Sequence, residues 1–424
     1  MLSVNTADPP KLFYGWIVVA SCCLLGMSAA VLLTYGIYVK ELSAEFGWNR
    51  AVTSSVSSVA SLVYGIAAVC AGMFADRYNP KGPVWICAVL LGSGLCLCSL
   101  VRNLWQLYFF YGVVTALGAG CCYSLPSSIV QKWFIEKRGL ALGLSMCGIG
   151  LGTLAISVLV GFLVPALGWR AAFFAEGVLL FILLAVAALF IAGDPEEKGF
   201  LPYGAENYVA GNNSNSQNEW LLKKIIIRKS FLINYGINFF SNASLMIVYV
   251  HVVPYAEDMG ISKLVAAGAM GLMGGISAVG RLVVGGVCDK IGFKNGLIIS
   301  LGLCCSMILY LILVRNVWML YVFVVVFSVG YGGKAMALPG LVGDVFGTKS
   351  LGMIMGLLAT AYGMGGFIGP LLGGWIFDRT HSYVMAFIAG AAFYIASIIL
   401  SFLVKQEEDL QLPDAAGKPS SIPG

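Results

Sequence analysis

Charge is scarce in this sequence. Asp, Glu, Lys and Arg make up 11% of its 424 residues, and there are two histidines, His251 and His381. A soluble domain carries about a quarter charged residues, so this chain cannot cover a globular surface with polar groups. The shortage argues against a soluble enzyme and a nucleic-acid binder. A solvated disordered chain needs more charge still. None of the twelve cysteines has a zinc-like set of His or Cys partners at metal-binding spacing. They lie inside apolar segments, as at Cys22-Cys23, Cys121-Cys122 and Cys304-Cys305, and read as small apolar residues rather than a disulfide framework. The sequence contains no His-Glu-x-x-His pair and no Gly-x-Ser-x-Gly elbow. No enzyme activity, metal or other cofactor is expected.

What the chain has is apolar length. Hydrophobic residues form 59% of it, and mean hydropathy is +0.89. Apolar segments fall at roughly 15–39, 52–75, 83–101, 105–130, 138–164, 170–193, 231–256, 263–288, 296–314, 318–343, 350–376 and 383–404, each near the length that crosses a bilayer. An all-α membrane protein with twelve transmembrane helices is expected. One Lys precedes the first segment, which is too long for a secretory h-region. A hydrophilic stretch containing Gly211-Asn212-Asn213-Ser214-Asn215-Ser216-Gln217 has linker composition. It divides the chain into an N-terminal six-helix half (1–193), a linker (194–229), a C-terminal six-helix half (230–405) and a tail (406–424).

Lys and Arg give the orientation. With a cytoplasmic N-terminus, 16 fall on the inner side and 7 on the outer; Arg281 and Lys334, inside spans, complete the 25. The positive-inside rule then places both termini and the linker in the cytoplasm of a cell-membrane protein.

The halves repeat. Val101-Arg102-Asn103-Leu104-Trp105-Gln106-Leu107-Tyr108 matches Val314-Arg315-Asn316-Val317-Trp318-Met319-Leu320-Tyr321, and the same offset relates Pro126 to Pro339, Gly139 to Gly352, Gly143 to Gly356 and Gly72/Asp76 to Gly285/Asp289. Two halves of like orientation imply a pseudo-two-fold axis along the membrane normal. A binding site then lies between them, exposed alternately to either side.

Gly72-Met73-Phe74-Ala75-Asp76-Arg77, between segments 2 and 3, resembles the Gly-x-x-x-Asp-Arg signature of the major facilitator superfamily, and Gly285 to Asp289-Lys290 is its partial copy. The resemblance makes Asp76, Arg77 and Asp289 a cytoplasmic conformational latch. Trp133-Phe134-Ile135-Glu136-Lys137-Arg138-Gly139-Leu140-Ala141-Leu142-Gly143 is similar to a signature of the monocarboxylate transporters, and Tyr14-Gly15-Trp16 to the end of that family's other signature. Phe46-Gly47-Trp48-Asn49-Arg50 resembles the related oxalate:formate antiporters. The glycines at 148–152 and 363–366 follow no strand and read as helix-packing residues rather than phosphate loops.

Intramembrane charge is costly unless it meets a partner or a wet cavity. No acid of comparable depth neutralises Arg281 or Lys334; Glu176, Glu257, Asp258 and Asp344 lie nearer segment ends. An anionic ligand from solution resolves this, although Lys334 could equally bond backbone carbonyls. The family resemblance implies that Arg281 binds a substrate carboxylate. It also marks two departures: Ser277 stands where animal members carry Asp, and Leu33 where they carry Lys. Tyr123, Asn238, Asn242, Tyr331 and Tyr362 lie at suitable depth to bond a substrate or to join helices. His251, Glu257 and Asp258 are candidates for proton coupling, His251 as an interfacial residue.

The expected function is secondary transport of small monocarboxylates, lactate- or pyruvate-like, by alternating access with proton symport. The expected partners are the substrate, a proton and the lipid bilayer. An oxalate:formate-type exchanger is the alternative, favoured by Lys334 as a second cation. A non-transporting membrane receptor is the alternative from another class.

Overall fold

The computed structural model describes residues 13–75, 80–205, 228–346 and 351–404. Asp76 and Arg77 fall outside them, as does most of the 194–229 linker. The side chains of Tyr123 and Asp289 also lie outside the described set.

Among the described residues the chain is almost wholly helical. α1 runs through Tyr14–Ala29, Val31–Thr34, a 3-10 turn at Tyr35–Ile37 and Val39–Phe46. α2 is Arg50–Ala75 and α3 Lys81–Cys98. α4 is pieced from Leu104–Leu107, a π-helical stretch Tyr108–Thr115 and Ala116–Trp133. Arg138–Phe190 is continuous except at Gly168, where φ is 83° and ψ is 162°. That residue divides α5 (138–167) from α6 (169–190). The undivided helix of 53 residues would be about 80 Å long at 1.5 Å per residue, far beyond a bilayer. The chain therefore turns back there: Trp169 meets Glu45 at one end of α1, while the Phe190 carbonyl accepts from Tyr14 at the other. α7 (Lys229–Asp258), α8 (Lys263–Ile291), α9 (Phe293–Leu311), α10 (Val317–Phe346), α11 (Leu351–Thr380) and α12 (Val384–Leu403) complete the twelve.

The repeated octamer forms the same structure twice. Asn103 Oδ1 accepts from the Gln106 N–H and Asn316 Oδ1 from the Met319 N–H, both at 3.0 Å. Each Asn thereby caps the helix that follows. Trp105 and Trp318 are each 79% exposed, as suits indoles anchored at a membrane interface. The symmetry fails in the next turns. α4 widens into a π-helix where Thr115 Oγ1 donates to the Phe110 carbonyl at 2.9 Å, whereas α10 stays α-helical.

The two stretches resembling monocarboxylate-transporter signatures meet at the end where the chain starts and finishes, here the terminal end. Trp16 packs edge-on against Phe134 at 4.9 Å. The Trp133 indole N–H donates to the Ala192 carbonyl at 2.9 Å, and Phe13 contacts Trp133, Phe134, Phe200 and Tyr203. The motif thus ties α1, the end of α4 and the chain after α6 together.

Small residues bring the halves together, as helices without a hydrophobic drive between them require. A Cβ on Gly65 of α2 would stand 3.1 Å from Gly363 Cα of α11, and one on Gly150 of α5 would stand 2.6 Å from the Gly274 carbonyl of α8. Gly36, in the 3-10 turn of α1, is tighter: its Cβ would come within 2.6 Å of the Tyr249 carbonyl and 2.8 Å of the Val250 carbonyl of α7.

Candidate functional site

Arg281 stands in α8 at the seam with α5. Its Nη1–H donates to the Met146 carbonyl of α5 at 3.0 Å. Its Nε–H is buried with no partner. No acid forms an ion pair with it among the described residues. α10 crowds it closely, because Gly332 leaves room for the Ser277 carbonyl and the Arg281 N–H; a Cβ there would fall 2.1 Å and 2.9 Å away. Ser277 Oγ donates to the Gly274 carbonyl at 2.7 Å, so this hydroxyl is directed to its own helix. Leu33 is a buried apolar residue of α1.

Tyr331 of α10 packs against Tyr249 of α7 with ring centroids 5.9 Å apart. Tyr249 is fully buried, its hydroxyl has no hydrogen-bond partner, and it lies within electrostatic reach of Arg281. An unpartnered hydroxyl and an unpartnered guanidinium N–H in one interior are costly to leave unmade, and each is a donor open to the oxygens of a ligand. Sequence reasoning missed Tyr249, since a tyrosine in an apolar helix resembles any other until its neighbours are known.

Lys334, one turn beyond Tyr331 on α10, is 5% exposed. The Cys304 thiol of α9 lies near it, and no carboxylate pairs with it among the described residues. Tyr362 of α11 faces Tyr64 of α2 across the seam at 6.2 Å. Asn242 is engaged differently: its Nδ2 donates to the Tyr362 carbonyl at 2.6 Å, while its Oδ1 is buried without a partner. Asn238, one turn earlier, donates to the Leu358 carbonyl at 2.7 Å. The pair staples α7 to α11.

The other end, here the loop end, carries every ion pair that joins the two halves among the described residues. Arg50 of α2 forms two bonds to Asp258 of α7, Nη1 to Oδ2 at 2.6 Å and Nη2 to Oδ1 at 2.9 Å. Lys40 of α1 is 3.2 Å from Asp258 and 3.7 Å from Glu257. Lys263 of α8 is 3.4 Å from Glu257 and pairs with Glu41 of α1. Arg50 also donates to the Tyr383 hydroxyl at 2.7 Å and lies 3.9 Å over the Phe377 ring. Alternating cations and carboxylates so arranged close the loop end.

Two expectations about individual residues change. His251 is not interfacial. It is fully buried, with Nε2 3.0 Å from the Pro370 carbonyl and Nδ1 3.3 Å from the Tyr383 hydroxyl; Gly373, where a Cβ would come within 2.6 Å of the ring, lets α11 close over it. Glu176 lies near the start of its helix yet is 1% exposed. Position along a helix did not report burial because α1 folds over it.

The sequence profile of the Major Facilitator Superfamily matches residues 17–307 and 278–423. Monocarboxylate transporter 12 of Rattus norvegicus is 26% identical, covering 97% of this chain and 90% of its own. Monocarboxylate transporter 13 of Bos taurus is 25% identical over 92% of this chain and 89% of its own. Among solved structures, a bacterial homolog of the human lysosomal transporter Spinster, inward-facing and unoccupied, superposes with a TM-score of 0.73 at 15% identity, over 94% of this chain and 98% of its own.

Proposed function

The chain belongs to the Major Facilitator Superfamily, and from that premise we propose that it is a secondary transporter of small monocarboxylates, lactate- or pyruvate-like, working by alternating access. One observation carries the proposal. Arg281 is a charged fork at the seam between the halves, with no acid paired to it among the described residues and with a free N–H. A substrate carboxylate is the partner that fits it in two-point contact. Tyr249 and Tyr331 then hold the rest of a small oxyacid, and the similarity to monocarboxylate transporters 12 and 13 supports the substrate class.

Closure of the loop end supports an inward-facing state, with the site reached from the terminal end. The excess of basic residues in the inner loops supports a cytoplasmic side for that end, both termini and the linker of a cell-membrane protein. Reporter fusions at positions 205 and 420 test this; an external signal from either overturns it.

Coupling follows from charge. A monocarboxylate anion entering a negative-inside cell works against about 2.3 kcal/mol per 100 mV, and a co-moved proton makes the cycle neutral. Glu257 and Asp258 serve such a cycle by releasing the gate rather than by carrying the proton across, because a proton on either weakens its pairs with Lys40, Arg50 and Lys263. The second reading, an oxalate:formate-type exchanger, is favoured by Lys334, a second buried cation to which no carboxylate is paired among the described residues.

The test is uptake of labelled lactate by proteoliposomes, acidic on the substrate side. Symport gives accumulation abolished by a protonophore. Uptake that requires preloading establishes exchange instead. Arg281→Gln and Arg281→Lys, the latter keeping charge without the planar fork, are expected to lose transport while still inserting. Undiminished uptake by the Gln variant refutes the role given to Arg281.

A further inference from the structure

We propose that Glu176 of α6 is the proton-carrying group of this protein, protonated in the closed-loop-end state and coupled through the bend of α1 to the site at Arg281. This rests on the transport reading above.

The geometry around its carboxyl is specific. Glu176 is 1% exposed, and no Lys or Arg is paired with it among the described residues. The titratable and hydroxyl groups facing it are Thr34 and Tyr38 of α1, Cys98 of α3 and Tyr111 of α4, and Tyr35 of α1 packs against Tyr111. Tyr38 donates to Oε2 at 2.8 Å. The other hydroxyl protons are directed elsewhere: Tyr35 donates to the Thr53 carbonyl at 2.8 Å, and Tyr111 to the Val31 carbonyl at 2.9 Å.

Thr34 decides the protonation state. Its oxygen is 3.0 Å from the Val31 carbonyl and 3.4 Å from Glu176 Oε1. A hydroxyl has one proton, and the shorter contact, to an atom that can only accept, takes it. The Thr34 lone pairs then face Oε1. A carboxylate there would have a single donor, Tyr38, for two oxygens at a buried site, which is costly. A carboxylic acid satisfies both contacts, accepting from Tyr38 at Oε2 and donating from Oε1–H to Thr34.

The same segment of α1 touches the other half of the molecule. Thr34 and Tyr38 flank the 3-10 turn Tyr35–Ile37, whose Gly36 lies against the Tyr249 and Val250 carbonyls of α7. Tyr249 is the residue with the unpartnered hydroxyl near Arg281. Ionisation of Glu176 requires Thr34 to turn its proton from Val31 to Oε1 or water to enter. Either change unsettles the bend that seats α7, so proton and substrate states bias one element, the physical requirement for coupling. The balance is one proton taken from water on the side where the carboxylate is bound and released to water on the other, with Glu176 returning to its starting form.

The experiment compares Glu176→Gln with the unaltered protein in proteoliposomes, using labelled lactate. The Gln variant, fixed in the form that resembles the acid, is expected to retain lactate counterflow and lose proton-driven accumulation. Accumulation equal to that of the unaltered protein, or loss of counterflow in a folded variant, overturns the proposal. Tyr38→Phe removes the one donor to the anion and is expected to shift the pH dependence of accumulation upward; an unchanged profile counts against the assignment. Infrared difference spectra across pH give a readout that needs no substrate. A carboxylic acid C=O band missing from Glu176→Gln supports the protonated form, and identical spectra overturn it. If the unaltered protein shows no lactate counterflow, the substrate reading fails and the infrared band alone decides Glu176.

Discussion

Asp378 of α11 caps the N-terminus of α2 from the other half of the molecule. Its Oδ1 accepts from the Arg50 N–H at 2.9 Å and its Oδ2 from the Ala51 N–H at 2.8 Å. A carboxylate on the free N–H groups of a helix start is favoured both by hydrogen bonding and by the helix dipole. Arg50 adds its side-chain bonds to Asp258, so one turn of α2 is held by α7 and α11 together. Replacing Asp378 or Arg50 with Ala should therefore release the loop end. Spin labels at Ala44 and Ser262, in a background with the native cysteines replaced, should report a longer and broader distance in either variant. An unchanged distribution in both means that the ion pairs do not hold this end closed.

Glu45, beyond the spanning part of α1, bonds the Arg170 guanidinium and the Trp169 indole N–H. Burial pushes its carboxyl up, but the two donors and the Arg170 charge outweigh this and hold it below the usual carboxylate range. The sign follows from that depression. The clamp is present above the unfolded value of about 4.3 and is lost as pH falls through the lower folded value. Melting of Glu45→Gln in detergent should lie slightly below the unaltered protein at pH 7, with the gap closing under strong acid. A gap that grows on acidification contradicts this.

Asn238 and Asn242 make matching bonds to α11 carbonyls. Each Ala variant should lower stability by roughly 1 kcal/mol, read as a drop in melting temperature. If Asn242 also served the substrate, its variant alone would raise KM for lactate. Equal KM values assign both to helix joining.

Asn103 and Asn316 cap α4 and α10 in the same way. Ala at either position should cost about 1 kcal/mol, and the two losses should be similar and additive, since the residues are remote and share no partners. Thermal melts of the two single variants and the double variant check this.

The sequence by itself determined the class of molecule and its symmetry. Apolar length with little charge leaves a membrane-spanning helix as the way to satisfy the backbone, and a fixed offset between like residues requires two like halves. It also singled out Arg281, because a charge inside an apolar run is conspicuous without any neighbour. The tertiary structure decided what depends on distant partners. Arg50 and Asp258 are 208 residues apart, and no local spacing announces their pairing. α1 and α6 together bury Glu176, and α7, α10 and α11 fix Tyr249 and Asn242. Hydropathy and period are properties of one helix. Which hydroxyl faces a carboxyl and which faces a carbonyl is settled by how helices are brought side by side, and that alone separates a group able to meet a ligand from one already bonded within the fold.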